Sequence, residues 1–126
     1  MRYLIDTTLL IDHLNGRAGA VALVRELFSE PNDLFVCDAV VAEAMSGFND
    51  NDIGAIVALI DALEYVSTHP EAAKWAGASR RKLRRSSPRH LGDAIIAGVA
   101  WYNDAIVVTR NPVDFEMQGV RVLAYD

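Results

Sequence analysis

The chain holds a single cysteine, Cys37, in 126 residues. That scarcity removes two classes at once, because neither an intramolecular disulfide framework nor a thiolate zinc cluster can be built from one thiol. Histidine is nearly as sparse. His13 falls late in a helical segment, His69 precedes a proline, His90 opens another helical segment, and no two share the spacing of a zinc site. They read as structural or exposed groups, with His90, three residues before Asp93, the one placed to meet a substrate. No apolar run reaches the length needed to cross a bilayer, so no membrane association is expected. A carboxylate at position 6 interrupts the apolar stretch at the amino terminus, which carries one basic residue. A signal peptide is therefore not expected and a cytoplasmic location is. Repeats, low-complexity tracts and linkers are also missing.

What is present is the composition of a globular protein, 52% hydrophobic and 23% charged, long enough for one domain over residues 1–126 without disulfide or structural-metal support. Cys37 closes the apolar run 34–37 and reads as a small core residue rather than a nucleophile. The net charge of −5 is unevenly spread: residues 1–79 carry −8 and residues 80–126 carry +3. Six of the twelve basic residues fall in one window, Arg80, Arg81, Lys82, Arg84, Arg85 and Arg89. Such a window can neutralise phosphates or form a solvated helix face, and at a helix carboxyl end the dipole also favours it.

Apolar periodicity alternates along the chain. After the strand-like Tyr3-Leu4-Ile5, Thr7 or Thr8 is suited to cap a helix carrying Leu9, Leu10 and Leu14, which stops near Asn15-Gly16. Residues 18–29 have helical spacing, and 34–37 is too short and continuous for a helix face and reads as a buried strand. Asp38 is placed to cap a helix over 39–46, and a further helix is predicted from Asn49 or Asp50 through 62. A short strand at 64–66 precedes a helix from Pro70 to about Arg85. An apolar helix over 91–101, a strand at 105–108, a loop through Asp114 and a closing strand at 120–123 complete the chain. Short apolar strands alternating with helices give an α/β class: a three-layer α/β/α sandwich with a mainly parallel four- to five-stranded sheet.

On that frame the acids fall in equivalent places. Asp6 ends the first strand, Glu43 lies in the helix after the second, Asp114 follows the fourth, and Asp93 occupies the first turn of a helix. A parallel sheet delivers such positions to one edge. Taken singly, Asp6 has a structural explanation as a cap and Asp93 as a partner of a helix dipole. Four convergent carboxylates stay ionised only with a cation among them. Oxygen ligands without a His or Cys cluster select a hard ion, Mg²⁺ with Mn²⁺ as substitute, and point to metal-assisted phosphodiester chemistry. A receiver-like signalling module would need an acid at the third strand, where Tyr65-Val66-Ser67-Thr68 offers none. A haloacid-dehalogenase phosphatase would need an acid two residues after Asp6, where Thr8 stands.

Four segments, Tyr3-Leu4-Ile5-Asp6-Thr7-Thr8-Leu9-Leu10-Ile11-Asp12, Val40-Val41-Ala42-Glu43, Gly92-Asp93-Ala94-Ile95-Ile96-Ala97 and Val107-Val108-Thr109-Arg110-Asn111-Pro112-Val113-Asp114-Phe115, occur in this order. Together they resemble the PIN-domain ribonucleases, in particular the toxin (VapC-like) subunit of VapBC type II toxin-antitoxin systems, across essentially the whole chain. The resemblance implies a Mg²⁺-dependent endoribonuclease that cuts structured RNA such as transfer or ribosomal RNA and inhibits translation. It also implies silencing by a cognate VapB-like antitoxin bound along an apolar groove, and a homodimer formed through helices opposite the site. By position, Asp6, Glu43 and Asp93 are implied as metal-binding acids. Asn111 and Asp114 are both candidates for the fourth place, with Asp114 favoured for its full charge. Thr7 and Thr109 are implied to orient the acids, and Arg80, Arg81, Arg84, Arg85 and Arg89 to meet the RNA backbone. A PIN-fold RNA-processing nuclease or RNA-binding subunit without a toxin role would carry the same residues.

Overall fold

The strands pair into one sheet whose order reverses at its centre, and that reversal positions the site. The computed structural model describes residues 1–83 and 90–126. The strands are β1 (Arg2–Ile5), β2 (Asp33–Cys37), β3 (Glu64–Val66), β4 (Ile106–Thr109) and β5 (Val122–Ala124). Every pairing is parallel, in the order β3-β2-β1-β4-β5. Leu4 lies in register between Phe35 and Val107, which makes β1 the central strand. Leu4, Val36, Val107 and Val108 are all buried, as strands covered on both faces require.

The covering layers are α1 (Thr7–Leu14), α2 (Ala18–Ser29), α3 (Asp38–Gly47), α4 (Ile53–Asp61), α5 (Pro70–Leu83), α6 (Leu91–Tyr102) and α7 (Pro112–Glu116). The expected sandwich is therefore present, with a wholly parallel five-stranded sheet. Gly16 follows α1 at φ 75°, the left-handed position that the Asn15-Gly16 stop signal predicts. Cys37 is fully buried, and burial pushes its thiol up to about 11, consistent with a core residue. No helix among the described residues is long and apolar enough to cross a membrane.

Local expectations fail where a distant partner takes the side chain. Asp38 does not cap the third helix; it is the first residue of α3, and its carboxylate accepts the Tyr65 hydroxyl and the Thr68 backbone N–H (2.7 Å for the latter). Those bonds, led by the one from Tyr65, hold the Asp38 carboxyl below its ordinary range. The helix foreseen from Asn49 or Asp50 begins only at Ile53, because the Asn49 side chain accepts from the N–H groups of Asn51 and Asp52 at 3.0 and 3.2 Å and closes a turn first. Residues 112–116, expected as loop, form α7 with Pro112 at its start, a position that favours proline. The last strand opens at Val122 rather than at 120. The end of the helix foreseen to Arg85 lies outside the described residues.

α5 and α6 meet through small side chains. Ala72 and Ala76 face Gly98, and a Cβ built on Gly98 would stand 2.5 Å from the Ala72 carbonyl oxygen and 3.4 Å from the Ala76 Cβ. The obstacle is helix backbone, so one of the helices must move to admit a methyl group. Gly98→Ala is expected to destabilise the protein by about 1–3 kcal/mol through overpacking, despite alanine's better helix propensity. The check is a urea titration, in which the midpoint falls while the slope is unchanged.

Candidate active site

β1 is the switch point: the chain leaves it on one side to β2 and β3 and on the other to β4 and β5. Ligands of open α/β sheets bind beyond the carboxyl ends of the strands at such a crevice. Asp6 sits there, one residue past β1, with its N–H donating to the Val108 carbonyl at 3.1 Å. It is buried to 4% exposure, an expensive position for a carboxylate. Two hydroxyls support it: Thr109 at the end of β4 donates to Asp6 Oδ2 at 2.8 Å, and Thr8 in the first turn of α1 donates to the same oxygen at 3.1 Å. Neither Thr7 nor Thr8 caps α1; Asp6 holds the cap position without a side-chain cap bond, and both threonine hydroxyls turn to the acids.

Glu43 comes from α3 and Asp93 from the first turn of α6. The Thr7 hydroxyl reaches Glu43 Oε1 at 3.5 Å. Gly92 brings α6 against the same group: a Cβ there would stand 3.1 Å from Glu43 Oε1 and 3.3 Å from its Cδ. Burial pushes the Asp6 carboxyl upward, opposed by the hydrogen bonds from Thr109 and Thr8. Glu43 is pushed upward by the burial it has, then by the negative charges of Asp6 and Asp93, with the Thr7 hydroxyl and His90 opposing. Three of the four acids expected from the sequence are thus one electrostatic group.

Asp114 reaches the region differently. It is half-buried in the first turn of α7, and with Arg110, Asn111, Pro112 and Val113 it lines a concave surface beside the end of β4. Its backbone carbonyl accepts from Gln118 Nε2 at 2.8 Å, and Gln118 Oε1 accepts from the Ser79 hydroxyl on α5 at 3.1 Å. The negative charges that push Glu43 upward come from Asp6 and Asp93. Asn111 is exposed, and its N–H donates to Thr109 Oγ1 at 3.0 Å. Arg80 and Arg81 are exposed in the last turn of α5, while Arg84, Arg85 and Arg89 lie outside the described residues.

The sequence reading missed three site features. Thr8 is one: it binds Asp6, lies 3.4 Å from the Thr109 hydroxyl, and accepts the Arg110 N–H at 3.3 Å. Gly92 is another, and its place directly before Asp93 was the available signal. The third is Asp12, buried one turn after Thr8, whose Oδ2 accepts the Tyr125 hydroxyl at 2.7 Å and pairs with Arg110 Nε at 3.3 Å.

Among the described residues no three acids, histidines or cysteines close into a ready-made metal cage. The donor set fits a hard divalent ion all the same: it is oxygen-only, its charges repel one another, and Mg²⁺ characteristically binds to one or two carboxylates plus waters and phosphate.

Residues 3–116 match the PIN domain. The chain belongs to the PIN-domain family. It is similar to ribonuclease VapC19 of Mycobacterium tuberculosis, 31% identical over 116 residues that span 90% of this chain and 92% of that protein. The PIN fold is seen again in VapBC2 from Rickettsia felis, solved bound to a DNA fragment from its promoter, with a TM-score of 0.84, 18% identity and full coverage of both chains. DNA-bound VapBC from Salmonella typhimurium gives 0.83 at 23% identity, covering 98% of each chain.

The burial of Asp6 and Glu43, with the repulsion that Glu43 feels from its acidic neighbours, has a measurable consequence. Asp6 and Glu43 are raised in the folded state, so their contribution favours folding at pH below the ordinary carboxylate range and is lost as pH rises through the raised values. At neutral pH without divalent ions, Asp6→Asn is therefore expected to unfold at higher urea than the parent, and the difference shrinks on acidification. Mg²⁺ should raise the parent's midpoint more than the variant's. A variant less stable than its parent at neutral pH would contradict this cost of burying the charged Asp6 beside other acids.

Proposed function

We propose that this protein is a Mg²⁺-dependent endoribonuclease toxin that cuts structured RNA such as transfer or ribosomal RNA, inhibits translation, and is neutralised by a VapB-like antitoxin. The observation that carries the reading is the electrostatic group of Asp6, Glu43 and Asp93 at the sheet's switch point, inside a PIN domain. The similarity to a ribonuclease and the fold shared with VapBC proteins support the toxin role and the antitoxin partner. A homodimer and a cytoplasmic location accompany the proposal.

Asp6, Glu43 and Asp93, with Asp114 as the fourth acid, would hold the ion. When bound, Mg²⁺ supplies charge that acidifies water and polarises the phosphodiester. Thr109 and Thr8 fix the rotamer of Asp6 through Oδ2, and Thr7 steadies Glu43. Hydrolysis by water leaves 5′-phosphate and 3′-hydroxyl ends.

Induction of the parent chain in bacterial cells should arrest growth and produce discrete new RNA 5′-phosphate ends, both lost with Asp6→Asn or Asp93→Asn. Cleavage that leaves 2′,3′-cyclic phosphates would overturn the water-attack scheme, and turnover surviving Asp93→Asn would remove that acid from the site. With purified protein, Thr109→Val should cost about 10–100-fold in activity or Mg²⁺ affinity, the usual effect of losing a group that orients a metal ligand. The titration of cleavage rate against Mg²⁺ measures it.

A further inference from the structure

The group of Asp6, Glu43 and Asp93 repels RNA, so a protein cation beside it would have a defined task. Arg110 follows the Thr109 that binds Asp6, and both parts of it are fixed to α1. Its N–H donates to Thr8 Oγ1 at 3.3 Å, and its Nε pairs with Asp12 Oδ2 at 3.3 Å. Thr8 and Asp12 are four residues apart on α1 and so share one face of that helix. Asp12 is 7% exposed and also accepts the Tyr125 hydroxyl, so the ion pair is anchored on its acidic side. The Arg110 side chain is 38% exposed, and among the described residues its terminal nitrogens make no hydrogen bond. It lines the same concave surface as Asn111 and Asp114. An arginine held through Nε keeps its outer nitrogens for a second anion, and guanidinium geometry suits phosphate.

We propose that Arg110, braced by Asp12, is a phosphate-binding residue that seats the RNA backbone beside Asp6. The inference rests on the endoribonuclease reading and adds to it a contact outside the 80–89 basic window.

The experiment measures binding of a labelled single-stranded RNA oligonucleotide of mixed sequence against salt, in a nuclease-silent Asp93→Asn background that leaves Thr8 and Arg110 untouched. Adding Arg110→Ala should weaken binding on the order of tenfold, as loss of one charged hydrogen-bonding group does. It should also make the slope of log affinity against log salt shallower by about 0.7, the value for one phosphate contact on a single strand. Arg110→Lys should keep the slope. Because Arg110→Ala strands a buried Asp12 charge, the Asp12→Asn, Arg110→Ala double variant provides a folded alternative, and the same loss is expected from it. Cleavage by the parent together with an unchanged slope in both alanine variants overturns this inference and leaves the nuclease reading intact. No cleavage by the parent, with Arg110-dependent RNA binding, overturns the nuclease reading and supports the contact. Absence of both cleavage and RNA binding overturns both.

Discussion

The hydrogen bond from Thr109 to Asp6 is the constraint on which the rest of the architecture depends. A carboxylate buried this deeply is tolerated only if its environment supplies donors. Those donors come from two different elements, the end of β4 and the first turn of α1. Placing β4 beside β1 is what makes the bond possible, and that adjacency is also what reverses the strand order. One interaction thus links the sheet's topology to the position of the crevice. The arrangement carries a cost, since burial still pushes the Asp6 carboxyl upward after both hydroxyls have acted. Such tension is common where a site's demands oppose those of the fold.

Around this anchor, approach distance is set by what side chains lack. Gly92 lets α6 come within contact of the Glu43 carboxylate, and Gly98 lets the same helix lie on the backbone of α5. α6 is therefore held in its first turn and near its middle by absent methyl groups, and Asp93 inherits its place from them. The polar side of the site is built differently. Gln118 joins α5 to α7 by accepting from Ser79 and donating to the Asp114 carbonyl, so Asp114 is carried on an element tied to the helix that begins the basic window.

Much of this was legible in the sequence because it depends on local rules. The strands are continuous apolar runs bounded by turns, and Asp6, Glu43 and Asp93 could be placed at one edge from strand and helix order alone. What escaped is governed by long-range partners. Asp38 looks like a cap by position and is used elsewhere, because Tyr65 and Thr68 reach it from the neighbouring strand and the loop beyond. Thr8 looks like a cap for the same reason and is claimed by Asp6. Asp12 pairs with Arg110 and Tyr125, about a hundred residues away, and no local pattern announces such a pair. α7 was missed although Pro112 marks its start, since five residues are too few for a period to be read.

The distribution of charge gives the proposed function a further property. Asp6 and Glu43 belong to the acidic part of the chain, while Asp93 and Asp114 belong to the part that carries an excess of basic residues. A polyanion approaching this edge meets repulsion at the acids and attraction around them, and the balance turns on how far the acids are neutralised. A divalent ion that neutralises them favours RNA binding. By linkage RNA must then raise the affinity for the ion by the same factor. The raised carboxyls of Asp6 and Glu43 express the same balance when protons are the only available cation. Weak metal binding by the protein alone is therefore compatible with strong metal dependence of cleavage, because the phosphate supplies ligands that these oxygen donors do not. A cage that bound the ion tightly by itself would weaken that coupling, and this PIN site does not have one among its described residues.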